Sequence, residues 1–478
     1  MQIKVALPKG RLLGDTATLL QRAGWGLGGY HEEMRLYRLK SRKFPNLSAK
    51  VFHERDIPIQ VAIGNYDLGI CGSDWIEELL VRYPSSALLK VRKLGYGEGA
   101  LYAAVGISQA TLDRLDSRDT MEELQAKKNI IRIASEYPNL AESFALKNRL
   151  RRFSIFPLWG AAEVYPPENA DLVLIPVGAE GFLDNGLVPI SKALGFSAVL
   201  IANRSSWEAK DMSEALASIY DKLDISQRPL SPESTTRVPE KAGAGSEERA
   251  KDVVWLALPD GHQQAPTLSL LNKAGIRIDD YPSATGNRRP TVSLDSVMIK
   301  VIRPQDMPLQ VANGNFDLAI TGRDWLMEHL YSFPSSPVTE LQDLGFGRVR
   351  IVAVVSRELS VEDAKGLRQL SARQVAPLRV ASEYVNIADK YARDNHLGHY
   401  RVVPTWGASE AFLPEDADLL IENTQTGRTI ARHNLKIIDT LFESTACLIG
   451  NANSISSPGK AERIKSITET LRAAVEDA

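Results

Sequence analysis

The chain states its main segments twice, and that duplication limits what it can fold into more than any other feature. "RDIPIQVAIGNYDLGICGSDWIEEL" at 55–79 returns as "QDMPLQVANGNFDLAITGRDWLMEHL" from 305, so Asp56 maps onto Asp306. "YPSS" at 83–86 returns as "FPSS" at 333–336, and "IRIASEYPNLAESFALKN" at 131–148 as "LRVASEYVNIADKYARDN" at 378–395. "PLWGAAE" returns as "PTWGASE", and the opening "KVALPKG" matches "WLALPDG". The period is far too long for a solenoid, which leaves a fused pair of domains. The first copy is placed at 1–225 and the second at 253–478. Between them, 226–252 is rich in Pro, Ser, Gly and charge and reads as a flexible tether.

Bulk composition narrows the class. A length of 478 residues, 44% hydrophobic and 24% charged, suits a globular protein of several domains. Net charge is −2, so no basic field argues for nucleic acid. Cys71 and Cys447 cannot build a disulfide framework and fit a reducing cytoplasm. Apolar runs are too short to span a membrane, and "MQIKVALPKG" lacks a signal-peptide layout. No membrane partner is expected.

Each copy reads as alternating strands and helices. "IKVALP" and "VVWLALP" are continuous apolar runs, as parallel strands covered on both faces require. A helix follows each: Ala17, Leu19, Leu20 and Ala23 make an apolar face ended by Gly24, and Pro266 and Gly275 mark the start and stop in the second copy. Repeated βα units predict an open, mostly parallel sheet with ligands at the carboxyl ends of strands. Two lobes are expected per copy, with breaks near 105–125 and 355–375.

The most chemical stretch is "IENTQTGRTIARHN" at 421–434. Thr424, Thr426, Gly427 and Thr429 end an apolar strand and can present hydroxyls and successive N–H groups to an anion, with Arg428 as a further donor. An ordinary turn with a threonine cap uses the same residues. The matching stretch of the first copy, "LIPVGAEGFLDNG", has none of these hydroxyls. Conversely, "ALPKGRLL" gathers Lys9 and Arg11 around Gly10, whereas the second copy reads "ALPDGHQQ". The second copy gains Arg323, Arg348 and Arg350, expected to line one crevice. "AGWGLGGY" has G-x-G-x-x-G spacing but follows a helix, so it is read as a loop. No histidine or cysteine has metal-ligand spacing, and Trp159 and Trp406 read as packing residues.

Together, "LPKGRLL", "ERDIP", "DLGICGSD", "LGYG"/"LGFGRVR", "ASEYPNLA"/"ASEYVNIA" and "ADLLIENTQTGRTIARHNL" resemble the ATP phosphoribosyltransferase family, twice over and in order. The resemblance implies an α/β fold: a tandem pair of two-lobed, periplasmic-binding-protein-like domains with mostly parallel sheets. It also implies transfer of 5-phosphoribosyl from phosphoribosyl diphosphate to N1 of ATP, with Mg2+ and release of diphosphate, as the first step of histidine biosynthesis. On it, Glu422, Thr424, Gln425, Thr426, Gly427, Arg428 and Thr429 bind phosphoribosyl diphosphate. Lys9, Gly10, Arg11, Glu383 and Arg350 serve ATP, and Arg55 is catalytic, reaching a neighbouring site. A homo-oligomer or a regulatory subunit is the expected partner.

The losses are reciprocal, since Arg55 stands against Gln305 and the family's second loop acid is here the neutral Gln425. They suggest one composite site per pair of copies. Two other readings stay open: a different purine nucleotide as acceptor, and a non-catalytic binding or regulatory paralogue.

Overall fold

A computed structural model describes residues 1–31, 37–106, 121, 124–126, 128–178, 186–223, 252–284 and 286–476. Apart from Asp252, the expected tether lies outside these residues, as does most of the first copy's counterpart of the hydroxyl-rich turn. The chain divides into two compact units. Unit 1 comprises Met1–Leu158, Tyr165–Ser246 and Trp406–Ala411; unit 2 comprises Trp159–Val164, Glu247–Thr405 and Phe412–Ala478. Each unit thus includes a short Trp-Gly segment from the other copy's sequence.

In the first copy the strands are β1 (Ile3–Lys9), β2 (Arg38–Lys40), β3 (Leu47–His53), β4 (Leu68–Gly72), β5 (Leu88–Lys93), β6 (Gly99–Gly106), β7 (Ile131–Ser135), β8 (Phe153–Pro157), β9 (Leu172–Gly178), β10 (Leu187–Phe196) and β11 (Ala198–Asn203). They build two sheets, ordered β2-β3-β1-β4-β11-β5 and β10-β6-β9-β7-β8. The second copy has β12 (Val254–Pro259), a short pair β13 (Ile278–Asp279) and β14 (Thr291–Val292), β15 (Val297–Ile302), β16 (Leu318–Gly322), β17 (Val338–Asp343), β18 (Val349–Ser356), β19 (Leu378–Ser382), β20 (Tyr400–Pro404), β21 (Leu419–Thr424), β22 (Leu435–Ser444) and β23 (Ala446–Asn451). Its lobes hold sheets ordered β15-β12-β16-β23-β17 and β20-β19-β21-β18-β22.

The apolar runs become the centres of these sheets. Every residue of "VWLALP" in β12 is buried, and β12 pairs in parallel with β15 and β16. The sets β3-β1-β4, β8-β7-β9 and β20-β19-β21 are parallel in the same way. The strands that bring the chain back between lobes join antiparallel, as β23 does to β16 and β17. The helix Leu13–Arg22 buries Leu19 and Leu20, and Gly24 and Gly275 take φ of 71° and 73°, the left-handed turn a helix stop uses.

The lobes separate earlier than the hydrophobic pattern indicates. The chain leaves the first lobe between β5 and β6, and between β17 and β18, at "LGYG" and "LGFG". Gly345 and Gly347 there have φ of 73° and 65°. In the second copy, the pattern change near 355–375 instead marks the end of β18 and the helix Ala364–Arg373 within one lobe. β18 and β23 are both largely buried apolar runs although they belong to different sheets, so periodicity alone does not reveal the crossing.

Both lobes of a copy are bolted by one helix. In the second copy, Glu328 on the helix Arg323–Ser332 accepts the N–H groups of Asn386 and Ile387 at 2.8 and 2.9 Å, the first turn of the helix Val385–Asp394. Those donors have no partner inside their own helix. Trp325 stacks on Tyr384 with centroids 4.4 Å apart. The first copy repeats this with Glu78, Asn139, Leu140, Trp75 and Tyr137.

Candidate active site

The hydroxyl-rich turn sits where the fold places ligands, at the carboxyl end of β21. Gly427 adopts φ 71°, which a side chain resists, and begins the short helix Arg428–Arg432. Its N–H donates to Thr424 Oγ1 at 2.9 Å. Thr424 is buried, so its hydroxyl shapes the turn from within. Gln425, Thr426, Arg428 and Thr429 are exposed. Their N–H groups take no hydrogen-bond partner among the described residues. Glu422 is buried one step before the turn, and its Oε1 accepts the N–H of Asn423 at 2.9 Å. The turn therefore has two layers, a more enclosed brace (Glu422, Thr424, Gly427) and an exposed rim of N–H donors.

Of the three arginines gained in the second copy, one borders this rim. Half-buried Arg350 is in register with Thr424 on one side and Glu443 on the other, so the three side chains share a sheet face. Arg348 pairs with Glu443 at 3.4 Å, and both are well exposed. Arg323 departs from expectation. Its guanidinium is taken up by Glu340 and, at 3.0 Å, by Asp343, which keeps it on the outer strand β17. The two carboxylates outcompete any approach to the crevice.

Behind the turn lies a network that sequence reasoning missed. Ser382 Oγ donates to the carbonyl of Ile421 at 2.7 Å and accepts the N–H of Tyr384 at 2.9 Å. Tyr384 donates its O–H to Asp324 at 2.6 Å, and Ser444 Oγ donates to the same carboxylate at 2.8 Å. Asn423 Nδ2 donates to Tyr384 Oη at 2.9 Å. Burial, and then the charge of Asp324, push the Tyr384 phenol well above its ordinary range. Glu383, half-buried, immediately precedes Tyr384. The paired "ASEY" segments and the aspartate of "SDW"/"RDW" were the signal available, but they lie about sixty residues apart in sequence.

The first copy treats the same places differently. Arg11 Nε reaches Glu54 Oε2 at 3.0 Å and Nη2 reaches Asp74 Oδ2 at 2.6 Å, while Tyr137 donates to Asp74 at 2.8 Å. The Arg11 guanidinium also lies 4.7 Å from the Phe196 ring. Arg11 was expected at ATP or at the other copy; the structure instead spends it on two buried carboxylates of its own unit. Burial holds the Glu54 carboxyl above its usual range even though Arg11 opposes this. Lys9 is exposed, with Nζ 3.3 Å from Tyr37 Oη, and Gly10 has φ 98° with open space over it.

At the positions matching Lys9 and Tyr37, the second copy has a charge-exchanged set. Asp260 accepts Arg288 at 3.1 Å and Arg303 at 3.2 Å, and Arg288 also pairs with Glu163 at 3.1 Å within unit 2. Sequence reading noted the lost cations there and missed the gained ones. Arg55, in unit 1, lies 4.3 Å from the Trp406 ring centroid and 5.2 Å from that of Trp75. Burial disfavours its charge, and Glu78, Glu136 and Asp56 act to restore it. Trp159, in unit 2, donates its backbone N–H to Asp306 at 3.0 Å, and its ring lies 5.7 Å from that of Trp325.

No helix among the described residues is long and apolar enough to cross a membrane. Comparison with known proteins bears on the rest. A family model described as HisG, ATP phosphoribosyltransferase, matches residues 53–224 and 303–473. An ATP phosphoribosyltransferase of Prosthecochloris aestuarii is 32% identical over 231 residues, which cover 47% of this chain and 73% of the relative. One from Saccharolobus solfataricus is 36% identical over 228 residues, 46% and 71% of the two chains. Among solved structures, the ATP phosphoribosyl transferase (HisG:HisZ) complex from Thermotoga maritima matches at 22% identity and TM-score 0.39, covering 47% of this chain and 100% of that one. The periplasmic aliphatic sulphonate binding protein SsuA from Escherichia coli matches at 12% and TM-score 0.29, covering 47% and 69%. With both halves matched by one model and relatives aligned over most of their length, the chain belongs to the ATP phosphoribosyltransferase family.

Proposed function

We propose that the chain is a cytoplasmic enzyme of histidine biosynthesis that joins the 5-phosphoribosyl group of phosphoribosyl diphosphate to N1 of ATP, with the second copy holding the donor. The observation that carries this is the turn at 424–429, whose exposed N–H groups and hydroxyls and neighbouring Arg350 suit a sugar diphosphate. Both substrates are polyanions, and the reaction builds positive charge at the sugar carbon while diphosphate departs. Positioning and leaving-group stabilisation therefore do the work, and fixed N–H donors supply both without reorganising. Thr426, Arg428 and Thr429 would face the diphosphate, while Glu422, Thr424 and Gly427 keep the turn in shape. Gln425 contributes its N–H and a neutral side chain that does not repel phosphate.

Among the described residues no three His, Cys, Asp or Glu side chains gather as a metal cage. Mg2+ would be carried mainly by diphosphate and water, as is usual for this ion with phosphate substrates, with Glu422 as the nearby carboxylate. Bound there, Mg2+ would neutralise charge on the leaving group. On the acceptor side, Lys9 and Gly10 of the first copy and Glu383 and Arg350 of the second remain our candidates for ATP. The sharing of the site between the copies rests on their reciprocal losses in sequence, Arg55 against Gln305 and the hydroxyl-rich turn against a counterpart without hydroxyls.

Separate Thr426→Ala and Arg55→Ala variants, assayed for diphosphate release, test the reading. Loss of turnover in both is expected. Full activity in Thr426→Ala removes the donor site, and full activity in Arg55→Ala removes the sharing. A different purine nucleotide as acceptor is favoured by one observation, the exchange of Lys9 for Asp260 and its two arginines. Product mass from ATP against other nucleotides decides between the acceptors.

A further inference from the structure

We infer that Asn423 and Tyr384 form a positioning pair that fixes the donor-holding turn against the other lobe of the second copy, an inference that rests on the donor reading above. Tyr384 donates its single proton to Asp324 at 2.6 Å, so its oxygen is left to accept, and Asn423 Nδ2 donates to it at 2.9 Å. Asp324 belongs to the helix Arg323–Ser332 of one lobe, whereas Asn423 is in β21 of the other, between Glu422 and Thr424. The end of the strand that carries the cradle is thus tied through one phenol to the opposite lobe. Asp324 is fixed in turn, since Ser444 Oγ donates to it and accepts its backbone N–H at 2.9 Å.

The first copy supplies an internal comparison. Tyr137 makes the same bond to Asp74, at 2.8 Å. The parallel registers of β7 with β9 and of β19 with β21 place Pro176 where the second copy has Asn423. Proline has no side-chain donor, so the tie is missing from the copy whose counterpart turn lacks the hydroxyls. The bolt between lobes is common to both copies, and only its extension to the strand end accompanies the cradle. This separates positioning from mere folding. Loss of the tie leaves Trp325 stacked on Tyr384 and Glu328 on its helix terminus, but frees the strand end from the opposite lobe.

Tyr384→Phe keeps the ring and its stacking, and Asn423→Leu keeps the volume of an exposed residue, so both test the tie in the full chain. Calorimetry with phosphoribosyl diphosphate reads donor Kd, and diphosphate release reads kcat. Donor Kd is expected to stay within about twofold, because Thr424 and Gly427 still shape the turn. A displaced turn should lower kcat about tenfold or more. The double variant is expected to be no worse than the poorer single, as for residues acting as one unit. An unchanged kcat in Tyr384→Phe, or losses that multiply in the double variant, overturns the pair while the donor reading stands. Unaltered donor binding in Thr426→Ala overturns the donor reading and the pair with it.

Discussion

Arg11→Met isolates the electrostatic organisation of the first copy. The guanidinium is the cation between Glu54 and Asp74, whose side chains are 5% and 0% exposed. Methionine fills much of the same volume, so the change chiefly leaves two buried carboxylates without a counter-charge. Breaking a fully buried pair costs about 3–5 kcal/mol. Arg11 itself is 35% exposed, so water screens part of the interaction and about 2–3 kcal/mol is a fairer figure. For a domain of this size that corresponds to a fall of roughly 5–10 °C in Tm. Scanning calorimetry of the full chain should show the loss in the unit 1 transition alone, since among the described residues Asp324 of unit 2 is held by Tyr384 and Ser444 rather than by an arginine. The pH dependence gives a second check. Burial already raises the Glu54 carboxyl in the folded state, and removing Arg11 takes away a force that lowered it. A folded pKa above the unfolded one means that the native state binds more protons, so stability falls as pH rises through that range. The defect should shrink on acidification through the range just above the ordinary glutamate pKa, and Glu54→Gln should offset it at neutral pH. An unchanged unit 1 transition, or a defect that grows on acidification, refutes the reasoning.

Three further outcomes follow from the cradle and its surroundings. Gly427→Ala forces a side chain into a left-handed conformation at φ 71°, costing about 1–2 kcal/mol, and should weaken donor binding about tenfold by calorimetry. Thr424→Val removes the acceptor for the Gly427 N–H inside a buried turn, worth about 1 kcal/mol, and should raise donor Kd about fivefold with little change in Tm. Arg55→Lys keeps the charge but not the planar stacking on Trp406 and Trp75, so tryptophan emission and turnover should both shift.

The repeat, the βα alternation and the tight turn at the end of β21 were legible because each is a local pattern: apolar runs, glycine at a turn, hydroxyls at a strand end. The partners of Arg11 were not legible because Glu54 and Asp74 lie some forty and sixty residues away and only the fold brings them together. The replacement of Lys9 by Asp260 looked like a plain loss for the same reason, since Arg288 and Arg303 stand on different segments. The sheet crossing at "LGFG" escaped because β18 and β23 are both largely buried apolar runs although they join different sheets. Arg323 shows the opposite failure: a cation at a strand end is no guide to its direction when Glu340 and Asp343 are beside it.

Binding proteins that close like a flytrap have lobes free to swing about their crossing strands. Here the helix Arg323–Ser332 spans that gap, with Glu328 seated on a helix terminus and Asp324 holding Tyr384. Swinging the lobes apart would strip both carboxylates of their donors and uncover the Trp325–Tyr384 stack. Opening of this copy is therefore opposed by two carboxylate–donor contacts and one aromatic stack, all carried on a single helix.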